Sequence, residues 1–178
     1  GNKLLDSVSK NASNFNPQEI SNTLLSLNQM GLSLDDIESK KIGLGNKLLD
    51  SVLSNVSNFN SHDISNTLLS YTRMISNTLM TDVEKDTHIN ALKDLFASAK
   101  VMYENNQISN IDLTQISEAL TRSKAYRFGD YTANFSGVNL ELKLTESKLQ
   151  KDITVKLKGL VGDYNLESEK GFGFADCL

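Results

Sequence analysis

Apolar positions in the first part of the chain recur at helical spacing, and they do so twice in the same order. Leu4, Leu5, Val8 and Ala12 fall on one helical face, as do Leu48, Leu49, Val52 and Val56 further on. A second helix is predicted after each. Phe15, Asn16, Pro17, Glu19 and Ile20 supply a hydrophobic staple, an N-cap, a first-turn proline and the acid of a capping box. That helix runs on through Leu24, Leu27 and Met30 to a stop at Gly31. Phe59, Asn60, Asp63 and Ile64 repeat the start signal, followed by Leu68, Tyr71 and Met74. The whole block Gly1 to Met30 returns as Gly45 to Met74, a period of 44 residues without a gap.

A degenerate third copy follows. Ile111, Asp112, Gln115 and Ile116 stand in the start-signal positions, with Leu120 beyond them. The helix before it is predicted from about Ile89 to Tyr103, with Leu92, Leu95, Phe96 and Ala99 turned inward. Leu32 to Gly43 reads as a polar connector with a short helical turn around Asp35 to Ile37. The echo Ile75-Ser76-Asn77-Thr78-Leu79 copies Ile64 to Leu68 and is a candidate extension of the second helix. These patterns predict a mostly α fold, a helical-hairpin repeat array (α-solenoid) with units at about 1–44, 45–88 and 89–126. Each hairpin covers its neighbour's apolar face, and such arrays bind extended partners along one side.

After Tyr126 the composition shifts toward Gly and aromatic residues, and 127–145 reads as a linker or short extended pieces. Ser147 to Leu160 is amphipathic at helical spacing. Tyr164 to Leu166 and Phe172 to Leu178 read as strands around a Glu169-Lys170-Gly171 turn.

Charge narrows the function. The chain holds 18 basic and 22 acidic residues, a formal −4. Residues 1–88 carry 7 Lys/Arg and 10 Asp/Glu, whereas 122–158 carry 8 and 4. Neither region has the basic excess of a generic nucleic-acid binder, whose affinity rests on neutralising phosphates, so RNA would be held by local patches. Lys3, Lys10, Lys47 and Arg73 are the candidate phosphate contacts, Lys3 and Lys47 being equivalent positions one repeat apart. Against this stands the acid beside each, Asp6 and Asp50, which suits an ordinary solvated helix face. Asn22, Asn66, Ser26 and Ser70 fit either base-edge recognition or hydrogen bonds locking neighbouring helices. Tyr71, Tyr103 and Tyr126 suit base stacking less well than core packing, Tyr71 replacing Leu27 of the preceding unit.

Other chemistries find no constellation. His62 and His88 lack ligand-spaced partners, so no metal site is expected. Cys177 has no neighbouring His or basic residue, and one cysteine excludes an internal disulfide. Gly171-Phe172-Gly173 lacks the lysine of a phosphate loop, and no cofactor is expected. No apolar run approaches the roughly 18 residues of a membrane span, so no membrane partner is expected. With no initiating Met and an apolar-rich end, the sequence reads as an excerpt of a longer chain.

The phrase Phe-Asn-x-x-(Glu/Asp)-Ile-Ser-Asn-Thr-Leu-Leu-Ser resembles the helical repeats of RAP-domain proteins, well over 1–74 and weakly over 89–126. That group includes FAST-kinase-like mitochondrial proteins, octotricopeptide-type organelle proteins and repeat proteins of intracellular bacteria. Ser147 to Ile153, Leu157 to Leu160, Tyr164 to Glu169 and Gly171 to Asp176 resemble the opening of the RAP domain itself, which is similar to a reduced restriction endonuclease. The resemblance implies a truncated α/β RAP-like domain at 146–178 and RNA binding, with roles in RNA processing, stability or translation. It implies a mitochondrion or plastid for a eukaryotic source, and the cytoplasm or secretion into a host for a bacterial one. It places Asp176 at the nuclease metal-binding Asp and Glu169 near the preceding acid, weak catalytic candidates since one Asp is not a metal site. For this stretch of chain a non-enzymatic role is favoured. Two rivals stand beside RNA binding: a protein–protein interaction scaffold or bacterial effector, which the acidic repeats favour, and a metal-dependent nuclease.

Overall fold

The two clear helix start signals, at Asn16 and Asn60, become helix starts in the computed structural model, which describes residues 2–76 and 78–136. Helix α1 (Asn2–Asn11) ends in a 3-10 turn, Ala12–Asn14, and α2 (Pro17–Gln29) follows. At its start the Glu19 amide donates to Asn16 Oδ1 at 2.8 Å, and the Asn16 amide donates back to Glu19 Oε2 at 2.9 Å. That reciprocal pair satisfies two orphan donors, and Pro17 occupies the first turn, where its missing N–H costs nothing. Gly31, at φ +76°, ends the helix: its N–H donates to the Asn28 carbonyl and the Leu32 N–H to that of Leu27.

The second unit repeats this plan. Helix α3 (Leu34–Lys40) precedes α4 (Leu44–Asn55), a 3-10 turn at Val56–Asn58, and α5 (Ser61–Ser76). The third consists of α6 (Asp82–Glu104) and α7 (Asn110–Ala125). The fold is therefore mostly α, with no strand among the described residues, and its helices belong to one compact unit. Helices α2, α5 and α7 pack side by side in one row, with α5 central. Helices α1, α4 and α6 pack successively in a second row. Ile20, Leu24, Leu27, Ile64, Leu68, Leu92, Leu95, Phe96, Ile116 and Leu120 fill the space between, all fully buried. Tyr71 is a core residue, as its apolar position predicts.

Equivalent serines link successive members of the first row. Ser21 Oγ donates to the Asp63 carbonyl at 3.3 Å, and Ser65 Oγ donates to Asp112 Oδ1 at 3.0 Å. These serines, rather than Asn22 and Asn66, make the helix-to-helix bonds. Asn66 lies buried and donates to His62 Nε2 on its own helix at 3.2 Å, while Asn22 is exposed.

Several boundaries differ from the sequence reading. The polar connector holds two full turns of helix, because Ser33 and Asp36 form their own capping box. The echo that begins at Ile75 prolongs α5 as far as Ser76, three residues past the position where α2 ends in the first unit. Helix α6 starts at Asp82, not near Ile89, since Thr81 and Glu84 cap it. Helix α7 starts one turn before the copied signal: Ser109 is the N-cap, accepting from the Asp112 amide at 3.1 Å, so the Asp112 carboxylate is left to reach α5.

Residues 127–136, read as the start of a linker, pack against α6. The Tyr131 ring stacks on Phe96 with centroids 4.6 Å apart, and Phe135 meets the same ring edge-on at 6.5 Å. Lys85 Nζ lies 5.1 Å above the Phe128 ring. The aromatic enrichment that suggested irregular chain is a small satellite core. Gly129 makes it possible, having φ +117° and no Cβ where one would sit 2.6 Å from Tyr131 Oη. Gly129→Ala is expected to destabilise by about 1–3 kcal/mol, read by urea titration, with loss of near-ultraviolet tyrosine dichroism. The expected linker at 137–145, the RAP-like segment 146–178, Asp176, Glu169 and Cys177 lie outside the described residues.

Candidate functional site

The four basic candidates do not converge. Lys3 and Lys10 are exposed on α1. Lys47, on α4, turns its ammonium back to α1, 3.3 Å from the Ser9 carbonyl and 3.2 Å from Ser9 Oγ. Arg73 lies in the other row. Its Nε donates to Glu118 Oε2 at 2.5 Å and its Nη2 to Glu118 Oε1 at 2.6 Å, a bidentate clamp between α5 and α7. Arg122 Nε meets the same carboxylate at 3.2 Å. The guanidinium picked out as a phosphate contact thus ties two helices together.

A cleft of about 200 Å³ opens where α3, α4 and the start of α6 meet. Leu34, Leu49, Leu79 and Met80 give it apolar walls, and Asp35, Glu38 and Glu84 give it carboxylates. The sequence reading missed it, because it forms at the two connectors that interrupt the repeat. The signal was the acidic run Asp35-Asp36-Ile37-Glu38, which puts Asp35 and Glu38 on one helical face beside Leu34.

Each carboxylate is held. Glu38 Oε1 accepts from the Gly43 amide at 2.6 Å and Oε2 from the Gly45 amide at 3.1 Å, so the α3–α4 turn closes around it. Gly43 takes φ +83° there. Asp35 Oδ2 accepts from the Leu79 amide at 3.2 Å, joining the connectors of successive units. Glu84 Oε2 accepts from the Thr81 amide at 2.7 Å; those bonds to Thr81 hold its carboxyl below the usual range, with His88 a smaller influence. Three carboxylates beside apolar walls favour a cation carried on an apolar stem and repel phosphate. No group among the described residues gathers enough His, Cys, Asp or Glu side chains to hold a metal ion.

His88 closes the inner wall. Its Nδ1 accepts from the hydroxyl of buried Tyr71, with the rings 5.6 Å apart. Burial lowers its pKa from 6.5, against a smaller opposing pull from Glu84. The same burial raises the pKa of Tyr71, which stays a neutral donor. A histidine depressed in the folded state takes up its proton more readily once unfolded. Its contribution to stability is therefore complete above pH 6.5 and is lost as pH falls below it. Folding free energy from urea titrations is expected to fall as the pH drops below about 6.5, and to fall less in His88→Gln.

The chain matches, over residues 2–24 and 35–68, a family described as a protein of unknown function (DUF1601). Both matched segments end at equivalent positions, Leu24 and Leu68, so the likeness follows the repeat. The longer one begins at Asp35 and takes in α3 with α4, the two helices that form one side of the cleft. No curated protein and no solved structure matches the chain. No described helix is long and apolar enough to cross a membrane.

Proposed function

We propose that this chain is an α-solenoid scaffold whose acidic, apolar-floored cleft binds a protein segment presenting a Lys or Arg beside an apolar side chain. The cleft is the observation that carries the reading, because its lining pairs charge with shape in a way that suits a basic peptide. Formal charge agrees: residues 2–136 hold 12 basic and 15 acidic side chains. Leu79, more than half exposed at the rim, leaves apolar surface open to such a partner.

The second reading is RNA binding, with the RAP-like resemblance behind it. Lys3 and Lys10, exposed on α1, favour it, with the period that sets Lys47 one unit from Lys3.

A displayed random-peptide library separates the two. The scaffold reading expects enriched peptides with a basic residue next to Leu, Ile or Phe, and at least a roughly tenfold loss of their affinity in Leu79→Asp. Enrichment blind to that substitution defeats it. The RNA reading expects retention of single-stranded RNA at physiological salt, weakening by roughly 0.7 log units per log salt for each phosphate neutralised. It also expects Lys3→Ala/Lys10→Ala to release the RNA.

A further inference from the structure

The two clear units are nearly identical in sequence but not in environment, and the difference isolates one surface. Leu48 is 1% exposed, while its copy Leu4 is 47% exposed. Met74 is 1% exposed and its copy Met30 58%. The second unit has a neighbour on each side, whereas the first is covered only by the second. Along the exposed flank of α1 and α2 lies a hollow of about 190 Å³ lined by Leu4, Val8, Asn22, Thr23, Ser26 and Leu27. The matching residues of the second unit are Leu48, Val52, Asn66, Thr67 and Ser70, with Tyr71 in place of Leu27, and all are buried.

The hydrogen bonds show the same half-finished state. Asn55 Nδ2 donates to the Ser51 carbonyl at 2.8 Å and across the unit boundary to the Phe15 carbonyl at 3.0 Å. Asn11, its copy, keeps the local bond, to the Ser7 carbonyl at 2.8 Å, and makes no other among the described residues. An array end exposed for good needs a polar outer face. This one keeps the stacking residues of the second unit at every lining position but one, Leu27 standing where the second unit has Tyr71.

We propose that the flank of α1 and α2 bearing Leu4, Asn11, Asn22 and Ser26 is a stacking surface, and that its occupant is another repeat of the same array. The occupant presents what the first unit presents to the second: the 3-10 turn around Ala12, the carbonyl of the residue at the Phe15 position, and a serine at the Ser21 position. Among the described residues, a second copy of this chain does not offer the faces that its first two units would present, because their neighbours already cover them.

The test adds a second copy of residues 1–44 ahead of the full chain, in a Cys177→Ser background carrying Leu4→Cys in the original first unit. The thiol introduced there is expected to react with a thiol reagent more slowly than in the unextended chain, by roughly tenfold or more. The extended chain is expected to melt in one transition at a higher temperature. Introducing Ala12→Arg in the added copy alone is expected to restore the reactivity. Equal reactivity of that thiol with and without the extension overturns the proposal, as does protection that survives Ala12→Arg. So does a dimer of the unextended chain in which the introduced thiol is already protected.

Discussion

Phe96→Ala is expected to cost about 3–5 kcal/mol of folding stability, among the largest losses any single substitution in the described residues will give. Phe96 is fully buried on α6. Its ring joins α6 to the segment that follows α7, with Tyr131 at 4.6 Å and Phe135 at 6.5 Å. Truncation leaves a void between two structures that cannot both move in to fill it. The loss therefore has a local part and a global part. Urea titration reads the sum. Near-ultraviolet dichroism and amide exchange at residues 128–135 read the release of the wrap, which is expected before the helices melt. A cost below about 1 kcal/mol would mean that the ring packs far more loosely than its burial states.

Glu118→Ala is expected to cost about 3 kcal/mol. Its carboxylate accepts from Arg73 on α5 and from Arg122 on α7. The Arg122 side chain is only 5% exposed, so removing the shared anion takes a counter-charge away from a guanidinium in a low-dielectric setting. Arg73 is 30% exposed and regains solvent, which keeps the figure at the lower end. Two measurements check this. The loss is expected to persist in about 0.5 M salt, well above the ionic strength at which exposed pairs are already screened. Arg73→Ala is expected to cost less than Glu118→Ala, because it leaves the carboxylate with Arg122. A loss abolished by salt would return the cluster to the class of surface ion pairs.

The repeat is legible from sequence because its signals are local. Asn16 and Glu19 satisfy each other three residues apart, and Leu24 and Leu68 follow at helical spacing, so no knowledge of tertiary contact is needed. The start of α7 is misread for an equally physical reason. Asp112 copies a position of the earlier start signal, but Ser109 caps one turn earlier, and only the fold shows Asp112 serving Ser65 and His62 on α5. The aromatic residues after Tyr126 look irregular in sequence because their partners, Lys85, Phe96 and Tyr103, lie far back along the chain. Arg73 looks like an unengaged cation for the same reason: Glu118 is 45 positions distant in the chain. The cleft escapes because it is shared between successive units. It is made where Asp35 and Leu79, in the two interruptions of the pattern, come together.

Helix α5 is buried along nearly all its length, and its small hydroxyl residues Ser65, Thr67, Ser70, Thr72 and Ser76 are sunk with it. Both α2 and α7 pack on this helix, so loss of either one leaves it covered by the other. It is the keystone of the assembly, the segment that must wait longest to meet water. Its buried side chains are short, so a bulkier replacement finds no room: at Ser65, whose hydroxyl meets Asp112, it pushes α7 outward.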